Sequence, residues 1–197
     1  MTSGEVYSEV RIKPIGPDNL NDRLHVCWSH LENWESSEIV AENRAWIEKI
    51  NEMFSPSSFI AYRGSAPVGI IEFMPRDMLH HEDFCPCRRR KGGEGAVLPS
   101  LGTDYRDYLF ITCLWVPGSS QKKGVGNALL MHLLDSDVFK HFRGALVFVG
   151  DRNPAWPDTV HWPAGPRKFY ERAGFEVVKR LEEPPGYLLK YDRQPDA

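Results

Sequence analysis

The feature that most constrains the fold is an apolar segment followed by a basic loop with two glycines and then by a helical pattern. Residues 108–116 are rich in aromatic and β-branched side chains, which favour a strand, and Pro117 and Gly118 end that strand. From Gly124 onwards, side chains that recur at the intervals of one helix face are Val125, Ala128, Leu129, His132 and Leu133. A strand that runs through a short loop into a helix predicts an α/β protein.

The loop between this strand and helix has the chemistry of an anion site. The first amides of a helix have no partner within the helix and carry an effective charge of roughly +0.5, which attracts phosphate. Gly124 and Gly126 allow a close approach to the backbone, and Gln121, Lys122 and Lys123 add donors and charge. The spacing matches neither the Rossmann motif nor the P-loop, and an ordinary strand-to-helix turn with solvated lysines is the alternative.

The remaining pattern predicts a mixed sheet of about seven strands flanked by about four helices. Predicted strands are residues 6–15, 58–63, 67–74, 108–116, 144–149, 175–181 and 186–192. Predicted helices cover residues 20–34, 37–54, 124–135 and 166–173, and Ser36 and Ser37 offer an N-cap to the second of them. Turn residues Gly64 and Ser65 join two of the strands into a hairpin.

Length and composition limit the class of protein. A chain of 197 residues with 42% hydrophobic content suits one α/β domain over 1–197, with polar insertions at about 75–107 and 151–165. A net charge of −3 argues against a nucleic-acid binder, and no apolar run approaches the ~20 residues that cross a bilayer. The four cysteines follow no disulfide framework, and the polar N-terminal residues lack the apolar core of a secretion signal, so we expect a cytoplasmic protein.

Two motifs together carry a resemblance to a known family. Gln121-x-x-Gly124-x-Gly126 is followed, after one intervening strand pattern, by Phe169-Tyr170-Glu171-Arg172-x-Gly174-Phe175. This pair, in this order, resembles the GNAT superfamily of acyl-CoA-dependent N-acyltransferases, and the element order is similar to the family fold. The run Cys113-Leu-Trp-Val116 is also similar to a branch of that family with a Cys-Leu/Ile-Trp-Val strand.

The resemblance implies a set of residues that bind acetyl-CoA. They are Leu114, Val116, Gln121, Lys122, Lys123, Gly124, Val125, Gly126 and Asn127. Backbone amides between Cys113 and Val116 would polarise the thioester carbonyl. Two departures from the family pattern stand out: Pro117 comes one residue early, and Asn153 lies upstream of an insertion instead of just before the final helix.

The resemblance also implies that Tyr170 protonates the departing CoA sulfur. The alternative for Tyr170 is an aromatic side chain that packs on the sheet with its hydroxyl bonded to the backbone. Glu72, an acid within an apolar strand, is either exposed on the open face of the sheet or is the general base, with a pKa raised by partial burial. Asp151 and His161 are alternative bases, and orientation alone can replace a dedicated base.

Three further features leave alternatives open. Cys113 is expected to be a packed core cysteine, the alternative being an acylated nucleophile. His80, His81, Cys85 and Cys87 include zinc-type ligands, but the Cys-x-Cys spacing is short and no second pair follows, so no metal is expected. The basic run Arg88–Lys91 is expected to be solvated, the alternative being contact with an acidic substrate or the CoA phosphates.

The sequence therefore predicts an N-acetyltransferase that moves an acetyl or short acyl group from CoA to the primary amine of a small molecule by direct attack. Acyl-CoA and the amine are the expected partners, and the sequence leaves the oligomeric state open, with a homodimer as one option. The alternatives are acetylation of a protein amino group, or a non-catalytic module that binds CoA or senses metal or redox state through Cys85 and Cys87.

Overall fold

The computed structural model describes residues 9–28, 35–78, 104–150, 164–182 and 186–194. Its strands are β1 Val10–Pro14, β2 Ser58–Arg63, β3 Ala66–Pro75, β4 Tyr108–Trp115, β5 Gly144–Val149, β6 Glu176–Leu181 and β7 Gly186–Asp192. Its helices are α1 Leu20–Trp28, α2 Ser37–Met53, α3 Val125–Asp135, α4 Asp137–Lys140 and α5 Arg167–Arg172. The seven predicted strands are confirmed, and the described part has one more helix than the sequence predicted.

The additional helix, α4, is a single turn directly after α3. Ser136 separates the two helices and its side chain accepts a hydrogen bond from the amide of Phe139. The sequence pattern missed this turn because four residues are too few to show a helical period. The same type of cap begins α2, where the predicted N-cap Ser36 accepts from the amide of Ile39.

All seven strands belong to one sheet of order β1-β2-β3-β4-β5-β7-β6. Every neighbouring pair is antiparallel except β4 and β5, which are parallel. The parallel pair lies near the middle of the sheet, and the chain passes between the two strands through α3 and α4. The sheet is therefore mixed, as predicted.

Helices pack on both faces of the sheet. α1 and α2 cover one face, where Ile60, Ile70 and Met74 of β2 and β3 join the helices in one apolar cluster. α3 covers the other face, where it contacts β1, β2 and β3, and its Leu129 and Leu133 are buried. Gly69 of β3 permits this close packing, because a Cβ there would lie 2.8 Å from Cγ1 of Val125. The central strands are thus buried from both sides.

Candidate functional site

β4 and β5 separate part of the way along their length. The parallel ladder runs from Tyr108 opposite Gly144 to Ile111 opposite Val147 and ends there. Beyond it, β5 continues to Val149 paired with β7, and β4 continues to Trp115 paired with β3. Within the described residues, β4 after Ile111 therefore has a backbone edge that no strand occupies, and extended ligands can pair with such an edge.

A β-bulge lies at the point where the two strands begin to separate. Glu72 of β3 pairs with Cys113, whereas Phe73 pairs with Ile111, so Thr112 is the extra residue on β4. Bulges bend a strand and redirect backbone groups. The bulge directly precedes Cys113–Val116, the segment in which the resemblance implied amides that polarise a thioester.

The loop from β4 to α3 holds two residues in left-handed backbone conformations. Gly124 has φ 81°, and Lys122 has φ 60°, which is uncommon for a residue with a side chain. Gln121 closes the start of the loop, since its Nε2 donates to the carbonyl of Val116 at 2.9 Å. A residue other than glycine held in this region, such as Lys122, is strained, and such residues are concentrated at binding and catalytic sites.

The loop leads directly into the first turn of α3. Gly124 is the N-cap and provides no side-chain acceptor, and the first hydrogen bond of the helix is donated by Ala128 to the carbonyl of Gly124. The amides of Val125, Gly126 and Asn127 consequently have no acceptor within the helix. Turns of this geometry form anion-binding concavities.

The predicted CoA-binding residues thus lie along one continuous path. Leu114 and Val116 pack partly buried against the apolar core next to the open edge, and Leu114 lies beside Gly126, where an added Cβ would be 3.5 Å from it. The first residue of α3, Val125, is buried. The exposed residues of the path are Gln121, Lys122, Lys123, Gly124 and Asn127. A strand edge with no neighbouring strand in the described residues, two lysines and amides without an acceptor in the helix can pair with an extended chain and with an anion.

Tyr170 of α5 is fully buried, with 0% of its surface exposed. Its hydroxyl donates to the carbonyl of Ala164 at 2.6 Å. Burial, together with the neighbouring Cys113, raises the pKa of Tyr170 well above its ordinary value of 10.0, so the proton is retained at neutral pH. The hydroxyl contact with the backbone is the one expected for a packed tyrosine, and a retained proton is the state that an acid needs.

Cys113 follows the bulge and is half-buried. This differs from the packed core position that the sequence predicted, because the ladder between β4 and β5 has already ended at Ile111. The thiol therefore lies at the open edge, close enough to Tyr170 to affect its pKa.

Glu72 is buried rather than exposed on the open face. Only 3% of its surface is accessible, its Oε1 accepts a hydrogen bond from Nε of Arg23 at 2.7 Å, and Nη2 of Arg23 forms an ion pair with the same oxygen, also at 2.7 Å. Asn43 of α2 accepts from the same guanidinium, which also lies over the ring of Trp46. β3, α1 and α2 are thereby joined through one buried polar cluster.

Sequence reasoning missed Arg23 and Asn43, although a signal was present. Arg23 falls between Leu20 and Cys27 on the face of α1 that the pattern assigns to the core, and Asn43 occupies the corresponding face of α2. Charged and amide side chains at core positions of a helix are rarely buried without a partner. The pattern thus indicated that Arg23 and Asn43 are buried with polar partners, but it did not identify those partners.

Other predicted candidates lie outside the described residues. These are Asp151, Asn153, His161, His80, His81, Cys85, Cys87 and the run Arg88–Lys91. In the described part of the chain, no group of three or more His, Cys, Asp and Glu side chains is arranged to hold a metal ion. Over the same ranges, every helix is too short or too polar to cross a membrane.

Comparison with known proteins relates this geometry to a fold. No protein-family model matches the sequence, and no curated protein is significantly similar to it. The structure is similar to an N-acetyltransferase from Staphylococcus aureus Mu50, with 16% identity, a TM-score of 0.58, and coverage of 95% of this chain and 100% of that one.

Two further similar structures come from other bacteria. A GNAT family acetyltransferase from Brucella melitensis in complex with acetyl-CoA shows 14% identity and a TM-score of 0.52, covering 96% of this chain and 92% of that one. The ribosomal-protein-S18-alanine N-acetyltransferase from Escherichia coli shows 13% identity and a TM-score of 0.53, covering 96% and 97%. The chain has the fold of the GNAT acetyltransferases, which the sequence resemblance predicted.

Proposed function

We propose that this chain is an acyl-CoA-dependent N-acyltransferase, a single domain that transfers an acetyl or short acyl group to the primary amine of a small molecule. The observation that carries the proposal is the path from the open edge of β4 to the loop before α3. It offers backbone pairing, two lysines and helix amides without an intrahelical acceptor in one line. The fold is shared with several acetyltransferases, one of which was crystallised with acetyl-CoA.

In this proposal the pantetheine of the donor pairs with the backbone of Leu114 and Val116. The amides from Gly124 to Asn127 bind the pyrophosphate, while Lys122 and Lys123 compensate its charge. Gln121 keeps the loop closed through its contact with the Val116 carbonyl. The bound acyl-CoA supplies an activated acyl group as its thioester.

Two groups of the chain would then act on the acyl transfer itself. Backbone amides at the bulge after Thr112 stabilise the negative charge that develops on the thioester oxygen, an effect that can account for several kcal/mol. Tyr170 turns its hydroxyl from the Ala164 carbonyl to the departing sulfur and protonates it. Positioned proton transfer of this kind contributes roughly 10²- to 10⁴-fold.

Glu72 is our proposed acceptor for the amine proton. Its carboxylate is buried in β3, directly opposite Cys113 at the bulge, and is therefore one strand away from the proposed thioester site. Asp151 and His161 are proposed as alternatives.

A thiol-release assay with purified protein and acetyl-CoA tests the proposal. The assay compares a panel of small primary amines with peptides that carry a free N-terminus, because one similar structure is a protein N-acetyltransferase. We expect release above background with at least one small amine, and mass spectrometry should find the acylated amine. Release with peptides alone would replace the small-molecule acceptor by a protein one, and CoA binding with no release from any acceptor would contradict the enzyme.

A further inference from the structure

The ion pair between Arg23 and Glu72 is asymmetric. Arg23 is 1% exposed, and both of its nitrogens that reach Glu72 contact the same oxygen, Oε1. Its third nitrogen, Nη1, donates to Oδ1 of Asn43, and its guanidinium lies 4.5 Å above the Trp46 ring. Oε2 of Glu72 has no hydrogen bond to any of the residues that the structure describes.

Stability alone does not explain such a pair. Removing two charges from water costs about as much as their attraction returns, so apolar residues of similar size are often equally stable or better at such positions. The surroundings of Arg23 are apolar, with Leu20, Leu24 and Cys27 on the same helix face. A role beyond packing would account for a charged pair there.

Glu72 lies in a polar row that crosses three strands. Its register partners are Ser58 on β2 and Cys113 on β4, and partners in adjacent strands direct their side chains to the same face. Ser58 is 0% exposed, and its Oγ lacks a hydrogen-bond partner within the described part of the chain. A buried hydroxyl without a partner indicates a place for water or a polar ligand atom next to Glu72.

We infer that Arg23 is a positioning residue for acyl transfer that acts through Glu72: by holding Oε1, it leaves Oε2 as the oxygen that receives the amine proton. This inference rests on the proposed function. The amine nitrogen forms a bond to the thioester carbon, and the bond between that carbon and sulfur breaks. The proton leaves nitrogen for Oε2, and the sulfur takes a proton from Tyr170. Glu72 then releases its proton to solvent, and Tyr170 takes up a proton from solvent.

The charge of Arg23 also compensates the charge of the buried carboxylate. Among the described residues, the charged or titratable groups that face Glu72 are Arg23 from α1 and Cys113 from β4. α2 contributes the amide of Asn43 and the ring of Trp46, and β2 contributes the hydroxyl of Ser58. Removing the guanidinium therefore leaves a buried carboxylate without a compensating charge.

Four variants test the inference: Arg23→Met, Arg23→Lys, Glu72→Met and the double variant Arg23→Met with Glu72→Met. We expect Arg23→Met to lower kcat about 10²-fold, the lower end of the contribution of a positioned base, with the Kd for CoA within twofold. Arg23→Lys keeps the charge, so its kcat should be about tenfold higher than that of Arg23→Met. The double variant should unfold at a higher denaturant concentration than Arg23→Met, yet its kcat should stay as low as that of Glu72→Met.

Rescue separates positioning from packing. If Arg23 acts only through packing, the double variant should regain kcat together with stability. If Arg23 positions Glu72, kcat should stay low in the double variant and should rise in Arg23→Lys. Recovery of activity together with stability in the double variant would overturn the inference, as would a kcat of Arg23→Lys no higher than that of Arg23→Met. An unaltered chain that turns over no amine overturns the proposed function, whereas normal turnover in Arg23→Met overturns only the role of Arg23.

Discussion

The two halves of the proposed site are built in different ways. The half that would bind the acyl donor consists of backbone from one continuous stretch, β4, the loop after it and the first turn of α3. The half that contains Glu72 consists of side chains from β3, α1 and α2. Arg23 donates to Glu72, 49 residues further along the chain, and to Asn43, 20 residues further along. A backbone site depends on local conformation, whereas a side-chain site depends on how distant elements pack.

The largest expected effect comes from removing the carboxylate of the side-chain half. Glu72→Ala leaves the Arg23 guanidinium buried without its partner, so the free energy of unfolding should fall by about 3–5 kcal/mol in denaturant titration. The control is Glu171→Ala, which removes a partly exposed i,i+4 pair with Arg167 and should cost less than about 1 kcal/mol. Equal losses of unfolding free energy in the two variants would contradict the view that Glu72 compensates a buried charge on Arg23.

Tyr170 is the proposed proton donor to the departing sulfur. Tyr170→Phe should lower kcat by about 10²-fold while CoA still binds, because only the proton for the sulfur is lost. Tyr108→Phe is the control: it removes another tyrosine hydroxyl, whose hydrogen bond to Asp192 is part-buried, at the closed end of the same strand pair. Each variant should lose about 1 kcal/mol of stability. A similar fall of kcat in both would assign Tyr170 to packing.

Two glycines of the same loop test the backbone half. An alanine at Gly124 or at Gly118 would meet no atom within 4 Å, but only Gly124 has a left-handed φ. Gly124→Ala should therefore weaken CoA binding about tenfold in calorimetry, since the strain of ~1–2 kcal/mol reshapes the turn. Gly118→Ala should bind CoA like the unaltered chain. If both bind CoA equally well, the left-handed turn is not part of the donor site.

The smallest effect concerns pH and the face covered by α1. Burial and a hydrogen bond to Asp22 raise the pKa of Tyr62 from 10.0 to about 12. Because the folded value is the higher one, this contribution to stability is complete below pH 10 and is lost as the pH rises towards 12. Denaturant titrations should show a loss below about 1 kcal/mol by pH 10.5, and Tyr62→Phe should flatten that part of the curve. A curve of unchanged slope in Tyr62→Phe would contradict the assignment.

The same contrast explains what the sequence could predict. Strand alternation, helical periods and the cap at Ser36 are local signals, and the strands and long helices they predict are present. The glycine-containing loop was recognisable for the same reason. Glu72 could be identified as unusual, but its partner could not, because nothing near position 72 specifies that a helix beginning at Leu20 will place Arg23 against it. Likewise, the half-buried state of Cys113 depends on the separation of β4 from β5, which only the sheet register shows.

The open edge of β4 and the loop before α3 are proposed to bind an acyl-CoA together. A crystal structure of the chain with CoA tests this proposal. We expect pyrophosphate oxygens within hydrogen-bond distance of the amides of Gly124, Val125 and Gly126, pantetheine amides paired with Leu114 or Val116, and the sulfur beside the hydroxyl of Tyr170. CoA bound elsewhere, or a pyrophosphate that makes no contact with the first turn of α3, would contradict it.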